Sequence, residues 1–258
     1  MGFLMKPKII CIVQARLGSF RFPGKVLKKI IDKNSLELIY EKLIQSKKID
    51  KIIFAIPKNK NLKLINFFKY KKYDYFLGSE TNVLKRFYDA ANYTKADYII
   101  RVTGDCPLID VNIVDNMTIG FLKSDCDYGS NTLFRTFPDG LDAEIFTYDA
   151  LKFAYNNSKK DSFKEHVTPL LKSSNKIKKF VFRGDHDYSF LRITFDTKKD
   201  FKLIKNIFSH YKNKKNIIYK DIVNLYKKNP EIFENNITYF NNDINQMNNG
   251  LKLYQKAK

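Results

Sequence analysis

Apolar runs of strand length alternate with amphipathic stretches along the first half of the chain. Lys8 to Val13 (KIICIV) is apolar throughout and opens into a stretch with two glycines and a proline, the form of a buried parallel strand entering a loop. Leu36 to Ser46 places Leu36, Ile39, Tyr40, Leu43 and Ile44 on one helical stripe, with Asn34 or Ser35 available as its cap. Lys51 to Ile56 (KIIFAI) predicts a second strand, stopped by Pro57. A helix near Leu62 to Phe68 and a strand at Tyr75 to Leu77 follow, then a helix from Val83 to Thr94 with Val83, Leu84, Phe87 and Ala91 inward. Asp97 to Val102 (DYIIRV) is the next strand and delivers Thr103-Gly104-Asp105-Cys106-Pro107. This order predicts an α/β fold, a mostly parallel sheet flanked by helices. Ligands of such sheets bind beyond the carboxyl ends of the strands, which directs attention to the loops after Val13 and Val102.

Past Asp125 the texture changes. Asp127 to Glu144 is rich in Gly, Asn, Thr and Pro, followed by a strand at Ile145 to Thr147 and helices near Tyr148 to Asn156 and Ser162 to Leu171. Lys178 to Phe182 and Phe190 to Phe195 read as strands, and the latter leads into Asp196-Thr197 and a helix whose core face is Phe201, Ile204, Ile207, Phe208 and Tyr211. A helix near Ile222 to Lys227 and an Asn-rich tail close the chain. The division expected is one domain over 1–215 and a C-terminal helical extension over 216–258.

With 258 residues, 22 Phe and 16 Tyr, the chain has the length and apolar content for a sizeable core, which sets it apart from a charged disordered chain. Its net charge of +20 raises the possibility of nucleic acid, but only seven of the 47 basic residues are Arg. The lysines are scattered and form no basic helix, finger or stacking motif, so surface drift explains most of the charge and no nucleic-acid partner is expected. The charge still suits anionic small molecules. Cys11, Cys106 and Cys126 are odd in number and lack CxxC spacing, which points to a reducing, cytoplasmic setting. Met1 to Lys6 is too short for a signal-peptide core, and no run approaches membrane-spanning length.

Candidate chemistry concentrates in Gln14 to Lys25. Five residues separate Gly18 from Gly24, and Val26 stands where a P-loop needs Ser or Thr, so a Walker motif is excluded. What remains is a glycine-containing loop at a strand end with three cations, Arg16, Arg21 and Lys25. Two of the seven arginines in this one loop favour a polyphosphate site over an ordinary basic surface loop. Asp105, just after a buried strand, suits Mg²⁺, which takes one or two carboxylates plus phosphate oxygens; it equally suits a turn cap. Asp196, after LRITF and before a helix, has the same two readings.

Gln14 to Leu27 (QARLGSFRFPGKVL), Arg101 to Asp110 (RVTGDCPLID), Asn131 to Phe146 (NTLFRTFPDGLDAEIF), Glu165-His166-Val167-Thr168-Pro169 and Leu191 to Phe201 (LRITFDTKKDF) occur in this order. Together they resemble the spore-coat polysaccharide cytidylyltransferase family, itself similar to CMP-sugar synthetases for acidic sugars such as ketodeoxyoctonate and sialic acid. The resemblance implies a nucleotide-diphosphosugar transferase fold of the GT-A type and a reaction of CTP with an acidic acceptor that releases pyrophosphate. It implies that Arg16 and Lys25 hold the triphosphate and act with Asp105 in catalysis. The Gln14-Ala15 backbone would face the cytosine, and Gly18, Ser19 and Arg21 would complete the nucleotide loop. Asp105 and Asp196 would bind Mg²⁺.

On the acceptor side, the resemblance implies that Asp139, Asp142 and Glu144 meet sugar hydroxyls or hold a turn. Arg135 would meet an acceptor carboxylate or phosphate, while Glu165 and His166 would orient the acceptor or cap a helix. Phe20 and Phe22 replace the more usual Thr and Leu, and Lys198 stands where Pro is common. A homodimer is implied, with Asp127 to Asn157 as its arm. Competing readings are a cytidylyltransferase for a phosphonate or sugar phosphate, a glycosyltransferase that consumes a nucleotide sugar, and a basic nucleic-acid-binding protein.

Overall fold

The computed structural model describes residues 6–59, 61–158, 164, 166–238 and 251–254. Eight strands are found among them: β1 Ile9–Gln14, β2 Lys51–Pro57, β3 Tyr75–Gly78, β4 Tyr98–Thr103, β5 Tyr128–Ser130, β6 Glu144–Thr147, β7 Lys179–Phe182 and β8 Leu251–Tyr254. They form one sheet in the order β3-β2-β1-β4-β6-β5-β7-β8. All pairings are parallel except those of β6 with β4 and β5. The mostly parallel α/β sheet expected from the sequence is therefore present.

Alternation along β1 explains the layering. Ile9, Cys11 and Val13 enter one hydrophobic core, while Ile10 and Ile12 enter another on the opposite face. Side chains of period two leave a central strand with two buried faces, so its sequence reads as continuously apolar. On the first face pack α1 (Ser35–Leu43), α2 (Leu62–Lys71), α4 (Val111–Leu122), α7 (Lys198–His210) and α8 (Tyr219–Lys228). On the second pack α3 (Val83–Thr94), α5 (Tyr148–Asn157) and the short α6 (Pro169–Ser173). Ile217, Ile222, Leu225 and Phe233, from the C-terminal stretch, enter the first core.

Helix starts follow their caps. Asn34 accepts from Glu37 N while the Glu37 carboxylate accepts from Asn34 N, a reciprocal box that opens α1. Thr197 and Asp200 form the same box, so α7 begins at Lys198 without a proline. Ile44 falls beyond the end of α1 and is exposed, although the periodicity put it on the buried stripe. In α3 the four residues expected inward are all buried.

Three expectations need correction. Helix α4 is an element that the sequence pattern did not single out: seven of its twelve residues are buried, and its polar side is a narrow edge of Asn112, Asp115 and Asn116. Phe190 to Phe195 does not form a strand: Leu191, Ile193 and Phe195 point into the core alternately, but the backbone bonds go to Asp139, Asn236 and Asp105 in turn. Residues 127–157 do not project as an arm. They supply β5, β6 and α5, and Tyr128, Ile145 and Phe146 are fully buried. No helix of the described residues is long and apolar enough to cross a membrane.

Candidate active site

The carboxyl ends of β1 and β4 lie side by side, with Gln14 opposite Thr103 in the parallel register. Gly104 follows, and a Cβ there would meet the Gln14 carbonyl oxygen at 3.0 Å, so the close approach of the two strand ends favours glycine. The turn sets Asp105 beside the loop that leaves β1. That loop is closed by Gly24 N donating to Leu17 O (3.0 Å) and anchored by Phe22, whose ring meets Phe195 and Phe201 edge-on at 5.6 and 5.8 Å. Gly24 adopts φ 69°, a left-handed conformation that turns the chain into a 3₁₀ helix at Lys25–Leu27.

Lys25 is buried, with 8% of its surface exposed, and its ammonium donates to Asp105 Oδ2 at 2.8 Å and to Asp196 Oδ1. Burial alone would lower its pKa, but Asp105 and Asp196 outweigh burial and hold it above the ordinary lysine value. Burial likewise opposes the charge on Asp196, yet Lys25 and Arg21 hold that carboxyl below its usual range. Arg21 reaches Asp196 Oδ2 at 2.8 Å from the exposed side. A cleft of about 370 Å³ is lined by Gln14, Ala15, Arg16, Ser19, Phe20, Arg21, Lys25, Val26, Arg101, Thr103, Gly104, Asp105, His166 and Asp196. A larger cleft of about 540 Å³, floored by Phe137, Phe182, Tyr188 and Tyr219, contains none of the site residues expected from the sequence.

The structure thus brings together Gln14, Ala15, Arg16, Ser19, Arg21, Lys25, Asp105, Asp196 and His166. Gly18 lies in the same loop but does not line the cleft. Glu165 lies outside the described residues. The four charged residues of the acceptor segment are instead paired with one another or with other elements. Arg135 forms a two-pronged pair with Asp142 at 2.9 and 2.7 Å. Asp139 takes Arg192 at 2.7 Å, and burial together with Asp142 pushes its pKa up to about 6 against Arg135 and Arg192. Glu144 is buried and accepts from Arg101, Tyr128 (2.6 Å), Thr168 (2.8 Å) and Lys172 (3.0 Å). Burial opposes its charge, but Lys172, Arg101 and Tyr128 hold it well below the carboxylate range.

Three arginines that the sequence reading did not select complete the arrangement. Arg101 links Glu144 to the cleft, donating from Nη2 to Gln14 Oε1 at 3.0 Å. The available signal was an arginine inside an otherwise apolar central strand. Arg192 spans Asp139, Asp196 (3.1 Å) and Asp200 (3.4 Å), joining the acceptor segment to the nucleotide loop. Arg86 is fully buried and donates to Ser79 O at 2.6 Å, while its Nε and Nη2 have no partner. Burial and nearby Arg16 bring its pKa down to about 10, so it remains cationic at neutral pH and adds positive field behind Arg16.

Residues 10–246 match the family model described as cytidylyltransferase. An uncharacterized protein of Methanocaldococcus jannaschii is 37% identical over 228 residues, covering 87% of this chain and 92% of that protein. The spore coat polysaccharide biosynthesis protein SpsF of Bacillus subtilis is 27% identical over 232 residues, covering 86% and 95%. A solved cytidylyltransferase structure from Leptospira borgpetersenii superposes with a TM-score of 0.85 at 33% identity, covering 91% of this chain and 100% of that one. With the family model spanning nearly its whole length, this chain belongs to the cytidylyltransferase family.

Proposed function

We propose that this protein transfers CMP from CTP to an acidic sugar or related acceptor, releasing pyrophosphate, as a step in surface polysaccharide biosynthesis. The observation that carries the reading is the meeting of Lys25 with Asp105 and Asp196 at the mouth of a cleft flanked by Arg16 and Arg21. Two carboxylates converging on one cationic point, with room beside them for phosphate oxygens and water, form a donor set suited to Mg²⁺. Asp105 and Asp196 would hold the ion, which supplies neutralisation of phosphate charge when bound.

Arg16 and Arg21 then attract and orient the triphosphate, and Lys25 stabilises negative charge as the acceptor oxygen attacks the α-phosphorus in line and pyrophosphate leaves. Glu144 fixes Arg101, and Arg101 fixes the Gln14 amide on the cleft floor, so the base-side wall is set before substrate arrives. His166, also on the cleft wall, is placed to orient the acceptor. The similarity to the Bacillus subtilis spore coat polysaccharide biosynthesis protein supports polysaccharide synthesis as the setting.

The test is a matrix of nucleoside triphosphates against acidic sugars, phosphonates and sugar phosphates, with and without Mg²⁺, reading pyrophosphate and product mass. CTP with an acidic sugar is expected to give a CMP adduct only when Mg²⁺ is present. Turnover with another nucleotide and none with CTP would overturn the reading; turnover of CTP with a phosphonate or sugar phosphate alone would move the acceptor assignment.

A further inference from the structure

Phe20 stands on the loop after β1 with its ring fully exposed, at 103% relative accessibility, and also lines the 370 Å³ cleft. Its neighbour Phe22 is only 6% exposed and packs against Phe195 and Phe201. Phe22 N also donates to Ser19 Oγ at 3.3 Å. The loop therefore has a pinned base and a free tip. Among the described residues, eight large hydrophobic side chains are exposed, and Phe20 alone of these lines the cleft.

A ring wholly in water contributes no burial to the fold, whereas a ring against a bound ligand would. Its neighbours on the cleft wall are chiefly charged or polar: Arg16, Ser19, Arg21, Lys25, Asp105 and Asp196. A phenyl ring among groups that gain strength when water is excluded is suited to excluding it.

We propose that Phe20 is an aromatic cap of the nucleotide pocket, turning onto bound CTP and shielding the phosphates from bulk water. The proposal rests on the reading of the cleft as a CTP site. Without the cap, water competes with the acceptor. A water oxygen bonds to the α-phosphorus, the bond from that phosphorus to the bridging oxygen breaks, pyrophosphate leaves, and the water proton passes to solvent, giving free CMP.

The chain contains no Trp, so Phe20→Trp introduces a sole indole fluorophore at the cap position. Titration of this variant with CTP and Mg²⁺ is expected to shift its emission to the blue, saturating at the Kd measured by calorimetry on the same variant. Calorimetric binding with an unshifted, water-like emission would overturn the cap alone. Absence of calorimetric binding by the unsubstituted protein would overturn the CTP reading, and the cap with it.

Phe20→Ala should leave the melting temperature unchanged, raise KM for CTP by about tenfold, and increase the ratio of free CMP to CMP adduct. Phe20→Leu should recover part of both effects. An unaltered KM and product ratio in Phe20→Ala would refute the cap.

Discussion

In the loop after β1, Arg16 and Arg21 stand exposed at the rim of a cleft and Lys25 sits just beneath them between two carboxylates. In residues 131–144 the charges are held inward: Arg135 on Asp142, Asp139 on Arg192, Glu144 on Arg101 and Lys172. Both regions are rich in charge, yet the first keeps cations accessible to an incoming anion and the second spends its charges on internal pairs. Charge in the first region is available for binding and chemistry; in the second it fixes the positions of Arg101 and Arg192, which reach back to Gln14 and Asp196.

Breaking the inward pairs tests this division most severely. Glu144→Gln leaves Arg101 and Lys172 without their buried counter-charge and should destabilise the fold by about 3–5 kcal/mol, measured by urea unfolding. Because its folded pKa lies below its unfolded value near 4.5, Glu144 contributes stability above that pH and loses it as pH falls further. The variant should therefore lose the part of the acid sensitivity that Glu144 contributes.

Lys25→Ala tests the other side of the comparison. Its carboxylate partners retain contact with solvent, so its main cost should fall on chemistry: kcat lower by about 10²–10³-fold, or roughly 3–4 kcal/mol in barrier, read as pyrophosphate release. Near-normal turnover in this variant would remove Lys25 from the proposed catalytic set.

Asp139 sharpens the picture within the acceptor segment, since its pKa is raised where that of Glu144 is lowered. With a folded value of about 6 against 3.8, the native state keeps a proton that the unfolded chain releases, so this carboxyl makes stability fall as pH rises from about 4 to 6. Asp139→Asn removes that dependence. Relative to the unsubstituted protein, the variant should gain on the order of 1–3 kcal/mol between pH 4 and 7, whatever its absolute stability. A difference that is flat with pH would show that Arg135 and Arg192 keep Asp139 ionised throughout.

The two regions also differ in how far their sequences reveal them. The loop stands out because arginine is scarce in a lysine-rich chain, and a local cluster at a strand end needs no knowledge of distant contacts. Asp105 is recognisable as a carboxylate after the end of β4 and Asp196 as one that follows an apolar alternation and precedes a helix, although their convergence on Lys25 spans 80 and 171 positions and exists only in the fold. Arg192 was hidden by its setting, an apolar alternation that reads as a strand while the backbone bonds to three separate segments. Helix α4 was hidden for a different reason: its polar side is narrow, confined to Asn112, Asp115 and Asn116 in its first half, and its second half is almost wholly apolar.

The smallest expected effect belongs to Arg21. Its side chain is 63% exposed, and its pair with Asp196 is shared with Lys25 and Arg192 on the buried side. An exposed pair of this kind contributes about 0–1 kcal/mol, and salt screens it. Arg21→Ala should leave the melting temperature almost unchanged and raise KM for CTP by roughly two- to fivefold at low salt, with the difference shrinking at about 0.5 M salt. Lys25→Ala should keep its loss of kcat under both conditions, because the Lys25 side chain itself is largely buried. If Arg21→Ala instead lowered kcat as far as Lys25→Ala and did so at high salt, burial would not be what separates the two cations, and Arg21 would have to act on the reacting phosphate itself.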